Sequence, residues 1–208
     1  MERIITVGDS NTFGQYLEGF DLQKDPSVYA WPSILSKLTN LPVINLAFPG
    51  NGFKAIWATI NRFEFAANDH LIILYPPDHS RVDIICEDRI NRLRWYEEEI
   101  ESITYFKYIF DKHNQIIENY IIMDHINYIY LPKLKNVIQI LFSLNENNWP
   151  ITQQIRLNYK NLANIKFANF DMWSLFELYP KDRACDNLHP GKIIQEEFAK
   201  QIYKNYFN

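Results

Sequence analysis

Two short segments near opposite ends of the chain carry residue types that together can do nucleophilic chemistry. The first is Gly8-Asp9-Ser10-Asn11-Thr12-Phe13-Gly14, directly after the apolar run Ile4-Ile5-Thr6-Val7. The second is Asp186-Asn187-Leu188-His189-Pro190. A serine hydroxyl is a poor nucleophile until a base takes its proton, and His189 is the candidate base. A carboxylate at Asp186 can hold the second ring nitrogen and stabilise the imidazolium, if a short loop turns both side chains the same way. Pro190, opening a helix, would help to fix that loop. The competing assignment makes Asp186 a cap of the last helix and His189 an ordinary polar surface residue. Ser10 in its particular turn tips the balance toward chemistry.

Acyl transfer also needs donors for a developing oxyanion. The Ser10 amide, at a strand-to-helix turn, is one candidate. Gly50 is a second, in the turn cluster Phe48-Pro49-Gly50-Asn51-Gly52. A residue without a side chain lets its amide approach a ligand closely. A plain turn glycine is the simpler alternative.

These residues need a scaffold that gathers them, and the hydrophobic pattern supplies one. Arg3 to Val7 reads as a buried strand. Trp31, Ile34, Leu35 and Leu38 recur at helical spacing with Pro32 in the first turn. Leu41 to Leu46 is the next strand, and Phe53 to Phe65 spaces Ile56, Ile60 and Phe63 as a helix does. His70 to Tyr75 is a third strand, stopped by Pro76-Pro77. The stretch from Glu87 to Tyr130 reads as helical, with apolar and aromatic residues three or four apart. It either caps the site or packs on the sheet, and packing is the simpler choice. Val137 to Phe142 and Ile165 to Phe170 are the fourth and fifth strands, the latter followed by an irregular stretch through Trp173 to Tyr179-Pro180. Gly191 to Tyr206 closes the chain as an amphipathic helix on Ile194, Phe198 and Ile202. Strands alternating with helices imply a three-layer α/β/α sandwich around a parallel sheet, flavodoxin-like, of about five strands. Ligands of such open sheets sit beyond the carboxyl ends of the strands. Ser10, Gly50, the turn from Pro76 to Ser80 and the Asp186–His189 loop can therefore share one edge.

Composition sets outer bounds. The 208 residues include only 6 glycines and no Ser- or Gly-rich tract, which suits one domain, 1–208, with a helical insertion over about 87–130. The formal charge of -4 argues against a general nucleic-acid binder. Arg89, Arg92 and Arg94 beside Trp95 and Tyr96 form a basic-aromatic run, but Glu97-Glu98-Glu99 follows at once, so a salt-bridged face is the better reading. Cys86 and Cys185 are far apart and lack metal-ligand spacing, as expected of incidental thiols; Cys185 reads as a small buried residue. The sequence shows no leader peptide and no apolar run long enough for a bilayer, so a cytoplasmic, virion or host-cell location is expected, without membrane partners.

The motifs resemble those of the SGNH (GDSL-like) hydrolases. Val7 to Gly14 is similar to the family's first block, with Asn11 where the name-giving Leu often stands. Asn45-Leu46-Ala47-Phe48-Pro49-Gly50 resembles the second, and Asp186 to Pro190 the last. The resemblance implies Ser10 as nucleophile, His189 as base, Asp186 as its orienter, and the Ser10 and Gly50 amides as oxyanion donors. It implies no metal or organic cofactor. The third block departs: Tyr75-Pro76-Pro77-Asp78-His79-Ser80-Arg81 stands where the family has Gly-x-Asn-Asp. A carboxylate at Asp78 would repel an oxyanion, leaving Asn51, Ser80 or Arg81 as substitute donors. Ser80-Arg81 resembles a Ser-Arg variant of the family in bacteria and phages. Asp78, Ser80 and Arg81 are then candidate substrate-binding residues, the arginine a clamp for a carboxylate, phosphate or acidic sugar, or else Arg81 pairs with Asp83, Glu87 or Asp88 to hold the insertion. The implied activity is hydrolysis of an O-acyl ester, acetyl above all, of a carbohydrate, lipid or small metabolite. An O-acyltransferase on a glycan, or a catalytically inactive binding or virion component, are the other uses of the same scaffold.

Overall fold

The computed structural model describes residues 1–19, 24–77, 81–85, 90–93, 111–143 and 167–208. In chain order these form β1 (Ile4–Val7), α1 (Ser10–Phe13), α2 (Trp31–Thr39), β2 (Val43–Asn45), α3 (Phe53–Arg62), β3 (His70–Leu74), β4 (Val82–Ile85), β5 (Ile90–Leu93), α4 (Lys112–Tyr130), β6 (Asn136–Ile140), α5 (Met172–Leu178) and α6 (Lys192–Tyr206).

The main sheet is four-stranded and parallel, in the order β2-β1-β3-β6. Ile4 aligns with Val43 on one side and His70 on the other, and His70 in turn with Asn136. β3 is buried along its whole length, as a strand covered on both faces must be. Its residues alternate between two cores with the strand period of two. Leu71 and Ile73 pack with Phe53, Ile56 and Ile60 of α3 and with Ile116, Tyr120, Met123 and Ile126 of α4. Ile72 and Leu74 pack with Trp31 and Leu35 of α2, Met172 and Leu175 of α5, and Ile194, Phe198 and Ile202 of α6. Helices therefore cover both faces, giving the α/β/α sandwich. The long helix α4, the described helical part of the stretch from Glu87 to Tyr130, packs on the sheet.

The chain leaves β1 for β2 on one side, then crosses to β3 on the other. That reversal puts a crevice at the carboxyl end of β1, and Ser10 lies just beyond it.

Three expectations need correction. The fifth strand is reduced, among the described residues, to a parallel bridge between Phe167 and Gln139, with the Ala168 amide on the Gln139 carbonyl at 2.9 Å. Ile90–Leu93 is not helical: it pairs antiparallel with Val82–Ile85 as a separate two-stranded sheet. Short apolar runs fit either state, and here cross-strand pairing wins over helical spacing. The stretch after Phe170 is not irregular but holds α5, capped by Asp171, whose carboxylate accepts the Ser174 amide at 2.6 Å. Residues 87–89 and 94–110 of the expected insertion lie outside the described residues.

Candidate active site

The nucleophile turn is built on a helix too short to exist alone. α1 is a single turn, and fixing one turn costs more conformational entropy than its internal bonds return. Its surroundings supply the difference. Asp9 caps the amino end, accepting the Asn11 amide at 2.9 Å and the Asn11 side-chain amide at 3.1 Å. At the other end each carbonyl has a partner. Ser10 O accepts the Gly14 and Gln15 amides, and Phe13 O accepts the Ser27 amide at 2.9 Å. Asn11 O accepts Gln195 Nε2 from α6 at 3.0 Å, and Thr12 O accepts Asn45 Nδ2 from the end of β2 at 2.9 Å. Gly14 closes the turn in the left-handed region, φ 76°, where glycine carries no steric penalty. A side chain at Gly8 would come within 2.9 Å of the Leu74 carbonyl, so β1 and β3 can lie this close only around glycine.

The structure brings Ser10, His189 and Asp186 together. Ser10 Oγ lies 2.8 Å from His189 Nε2, and His189 Nδ1 lies 2.6 Å from Asp186 Oδ2. The other carboxylate oxygen, Oδ1, accepts the amides of Leu188 and His189, each at 3.1 Å. One side chain thus fixes both the loop and the ring. The loop is closed by the Ala184 amide on the His189 carbonyl and the Asn187 amide on the Ala184 carbonyl, both 3.0 Å. Asn187 takes φ 61°, a conformation asparagine tolerates better than most residues. The Tyr16 ring, its centroid 5.5 Å away, flanks the imidazole.

Burial is the largest influence on the Asp186 carboxyl and pushes its pKa up; hydrogen bonds from the His189 ring and from the His189 and Leu188 amides together outweigh it. The net result lies below the ordinary aspartate value, so the ionised form is favoured. The carboxylate that caps the last helix is Asp182, not Asp186: its Oδ2 accepts the Ile194 amide at 2.7 Å.

Gly50 sits in a turn closed by the Asn51 amide on the Phe48 carbonyl at 3.2 Å, with Pro49 second and Gly50 third at φ 80°. This is the signature of a type II turn, which demands glycine at its third position. The turn is bolted to the nucleophile segment through Gly8 O, which accepts the Phe48 amide at 3.3 Å and Asn51 Nδ2 at 3.1 Å. Asn51 is buried and spends this donor on the protein backbone. The Ser10 amide, in the first turn of α1, has no protein partner among the described residues, as an oxyanion donor requires.

Asp78 and Ser80 lie outside the described residues, and so do His79 and Cys86. Arg81 is described, and its guanidinium NH1 lies 2.5 Å from Asp9 Oδ2 and 3.4 Å from the Asn51 carbonyl. Asp83, an expected partner for it, accepts the Gly52 and Ala55 amides at the start of α3, at 3.3 and 3.0 Å. Cys185 is exposed rather than buried, and its thiol is free. Sequence reasoning missed Gln195, fully buried and bonded to α1 and, through Oε1, to the Trp31 amide at 2.9 Å. A polar residue in register with the apolar positions Phe198, Ala199 and Ile202 was the available signal. Among the described residues no group of three or more His, Cys, Asp or Glu could hold a metal ion, and no helix is long and apolar enough to cross a membrane.

The architecture is the α/β/α fold of SGNH hydrolases. An alpha/beta hydrolase enzyme from the metagenome of Lake Arreo, Spain, matches with TM-score 0.60 at 14% identity, over 97% of this chain and 93% of that one. The acetylxylan esterase Axe2 from Geobacillus stearothermophilus matches with TM-score 0.58 at 16% identity, over 98% and 93%. The lipase/acylhydrolase from Enterococcus faecalis matches with TM-score 0.55 at 16% identity, over 98% and 94%. At these identities the likeness carries the fold and leaves the chemistry to the site. No protein-family model matches the chain. No curated protein matches it either.

Proposed function

We propose that this protein is a serine esterase that hydrolyses short-chain O-acyl esters through a Ser10 acyl-enzyme. The observation that carries the proposal is the unbroken relay Ser10 Oγ–His189 Nε2–His189 Nδ1–Asp186 Oδ2, at 2.8 and 2.6 Å.

Asp186 accepts a hydrogen bond from Nδ1–H, which keeps the proton on that nitrogen and leaves Nε2 free to accept from the Ser10 hydroxyl. Ser10 Oγ attacks the acyl carbon as its proton passes to Nε2, and Asp186 stabilises the imidazolium. The carbonyl oxygen becomes an oxyanion held by the Ser10 and Gly50 amides. As the intermediate collapses, the ester C–O bond breaks and the departing alcohol oxygen takes the proton from Nε2. Water then attacks the acyl-enzyme, giving its proton to Nε2, and release of the acid returns that proton to Ser10. No metal or organic cofactor enters any step.

Ser10 is only 4% exposed, and acetyl, the smallest of the ester acyl groups, is the one we propose. The acetylxylan esterases among the similar structures support the same acyl group on a carbohydrate alcohol. A fluorophosphonate probe tests the mechanism, because it labels only an activated serine. Wild-type protein should label and should hydrolyse p-nitrophenyl acetate. Ser10→Ala should do neither, and hydrolysis that survives this substitution would refute the proposal.

A further inference from the structure

We infer that Arg81 is a positioning residue for the nucleophile, acting through the Asp9 carboxylate and the Asn51 carbonyl rather than on substrate; the inference rests on the esterase reading above. Asp9 immediately precedes Ser10, and its side chain is 1% exposed. A buried carboxylate is costly unless it is hydrogen-bonded and paired with a cation. Asn11 supplies hydrogen bonds to both Asp9 oxygens, each 3.1 Å from Asn11 Nδ2. Arg81, with a side chain 14% exposed, supplies the cation.

The reaction places a second negative charge beside this one. The oxyanion forms at the Ser10 amide, one residue from Asp9, where protein screens charge far less than water does. An unpaired Asp9 carboxylate would oppose that charge in the transition state and act little on the neutral ester, so its effect belongs in kcat. The Arg81 guanidinium cancels it. The same group reaches the carbonyl of Asn51, the residue after Gly50. It therefore spans the two loops whose amides receive the oxyanion and holds their separation. Both bonds leave one guanidinium nitrogen, Nη1, so a lysine could replace them only by bringing its single ammonium to that position.

The test compares wild-type protein with Arg81→Gln, Arg81→Lys and the double variant Arg81→Gln/Asp9→Asn. It reads p-nitrophenyl acetate kinetics, the rate of fluorophosphonate labelling and thermal melting. Arg81→Gln should lower kcat and the labelling rate about a hundredfold with KM little changed, the scale of losing one oxyanion donor. The double variant restores neutrality and lets two amides pair where the ions did, so it should recover about tenfold or more of that loss. Arg81→Lys should fall between wild type and Arg81→Gln. If Arg81→Gln fails to fold, the double variant carries the test, and a folded but inactive double variant overturns the inference. A loss confined to KM, or an Arg81→Gln protein that labels at the wild-type rate, overturns it while leaving the esterase reading intact. Wild-type protein that is folded yet never labels overturns both.

Discussion

Replacing Asp186 with asparagine reverses one hydrogen bond and keeps nearly everything else. Oδ1 accepts the Leu188 and His189 amides at 3.1 Å, and an asparagine oxygen can go on accepting both. Its NH2 group then occupies the position of Oδ2, 2.6 Å from His189 Nδ1. Two donors cannot face each other, so Nδ1 must give up its proton and Nε2 must carry one. That proton then points along the 2.8 Å line to Ser10 Oγ, and the base can no longer accept. Loss of the correct tautomer with geometry preserved costs about 10⁴ in kcat, about 5.4 kcal/mol of transition-state stabilisation. Single-turnover acylation with p-nitrophenyl acetate, run beside a thermal melt, measures it. A folded Asp186→Asn protein within about tenfold of wild-type kcat would refute the tautomer argument and leave Asp186 a loop tie. The substitution also predicts a pH signature. Asp186 is held below the ordinary aspartate value, so on acidification the unfolded chain takes up its proton first. Its stabilising contribution is complete above about pH 4, the ordinary value, and is lost as pH falls through the lower folded value. The stability advantage of wild type over Asp186→Asn should therefore shrink across that acid window, as read by denaturant midpoints.

Three further outcomes follow from the supports of the site. A Cβ at Gly191 would fall within 2.5 Å of the Asp182 carboxyl carbon, displacing the carboxylate that caps α6. Gly191→Ala and Asp182→Ala should then each cost about 1 kcal/mol, and the double variant clearly less than their sum, measured by chemical denaturation. Gln195→Leu leaves the Trp31 amide and the Asn11 carbonyl buried without partners. It should cost about 3 kcal/mol in total and lower Tm by about 6–12 °C, and an unchanged Tm would deny Gln195 its structural role. Gly50→Ala forces a side chain into φ 80°, a strain of about 1–2 kcal/mol. Because its amide is a proposed oxyanion donor, kcat should fall by about tenfold or more while the protein still folds.

The chemistry-bearing segments were legible because each is local. A strand running into Gly8-Asp9-Ser10, a turn at Pro49-Gly50, and a loop spacing Asp186 three residues from His189 are all written in adjacent letters. The sheet was legible too, since β1 and β3 are continuous apolar runs ended by turn residues. What escaped was tertiary. Arg81 pairs with Asp9 rather than with Asp83, because the fold returns the segment after β3 to the end of β1; Glu87 and Asp88 lie outside the described residues. The antiparallel pair Val82–Ile85 and Ile90–Leu93 escaped because short runs such as these favour strand only once a partner lies alongside. The helix α5 is too short for its apolar spacing to stand out, although its Asp171 cap is written in the sequence.

The two loops facing the nucleophile share a device that single-sequence reasoning could not reach. Each runs directly into a helix whose N-cap is glycine without a side-chain cap of its own, Gly52 before α3 and Gly191 before α6. In both, a carboxylate from outside the helix enters the space a side chain would fill: Asp83 of β4 takes the Gly52 and Ala55 amides, and Asp182, at the base of the connection that carries His189, takes the Ile194 amide. Asp83 ties the start of α3 to β4, and Asp182 ties the start of α6 back to the base of the α5–α6 connection, where the Gly191 amide also bonds the Asp182 carbonyl at 3.1 Å. The positions of Gly50 and His189 are thus set by these ties together with their own local turns. That is the condition for electrostatic preorganisation, in which the donors and the base are already in place and little reorganisation is left to the moment of reaction.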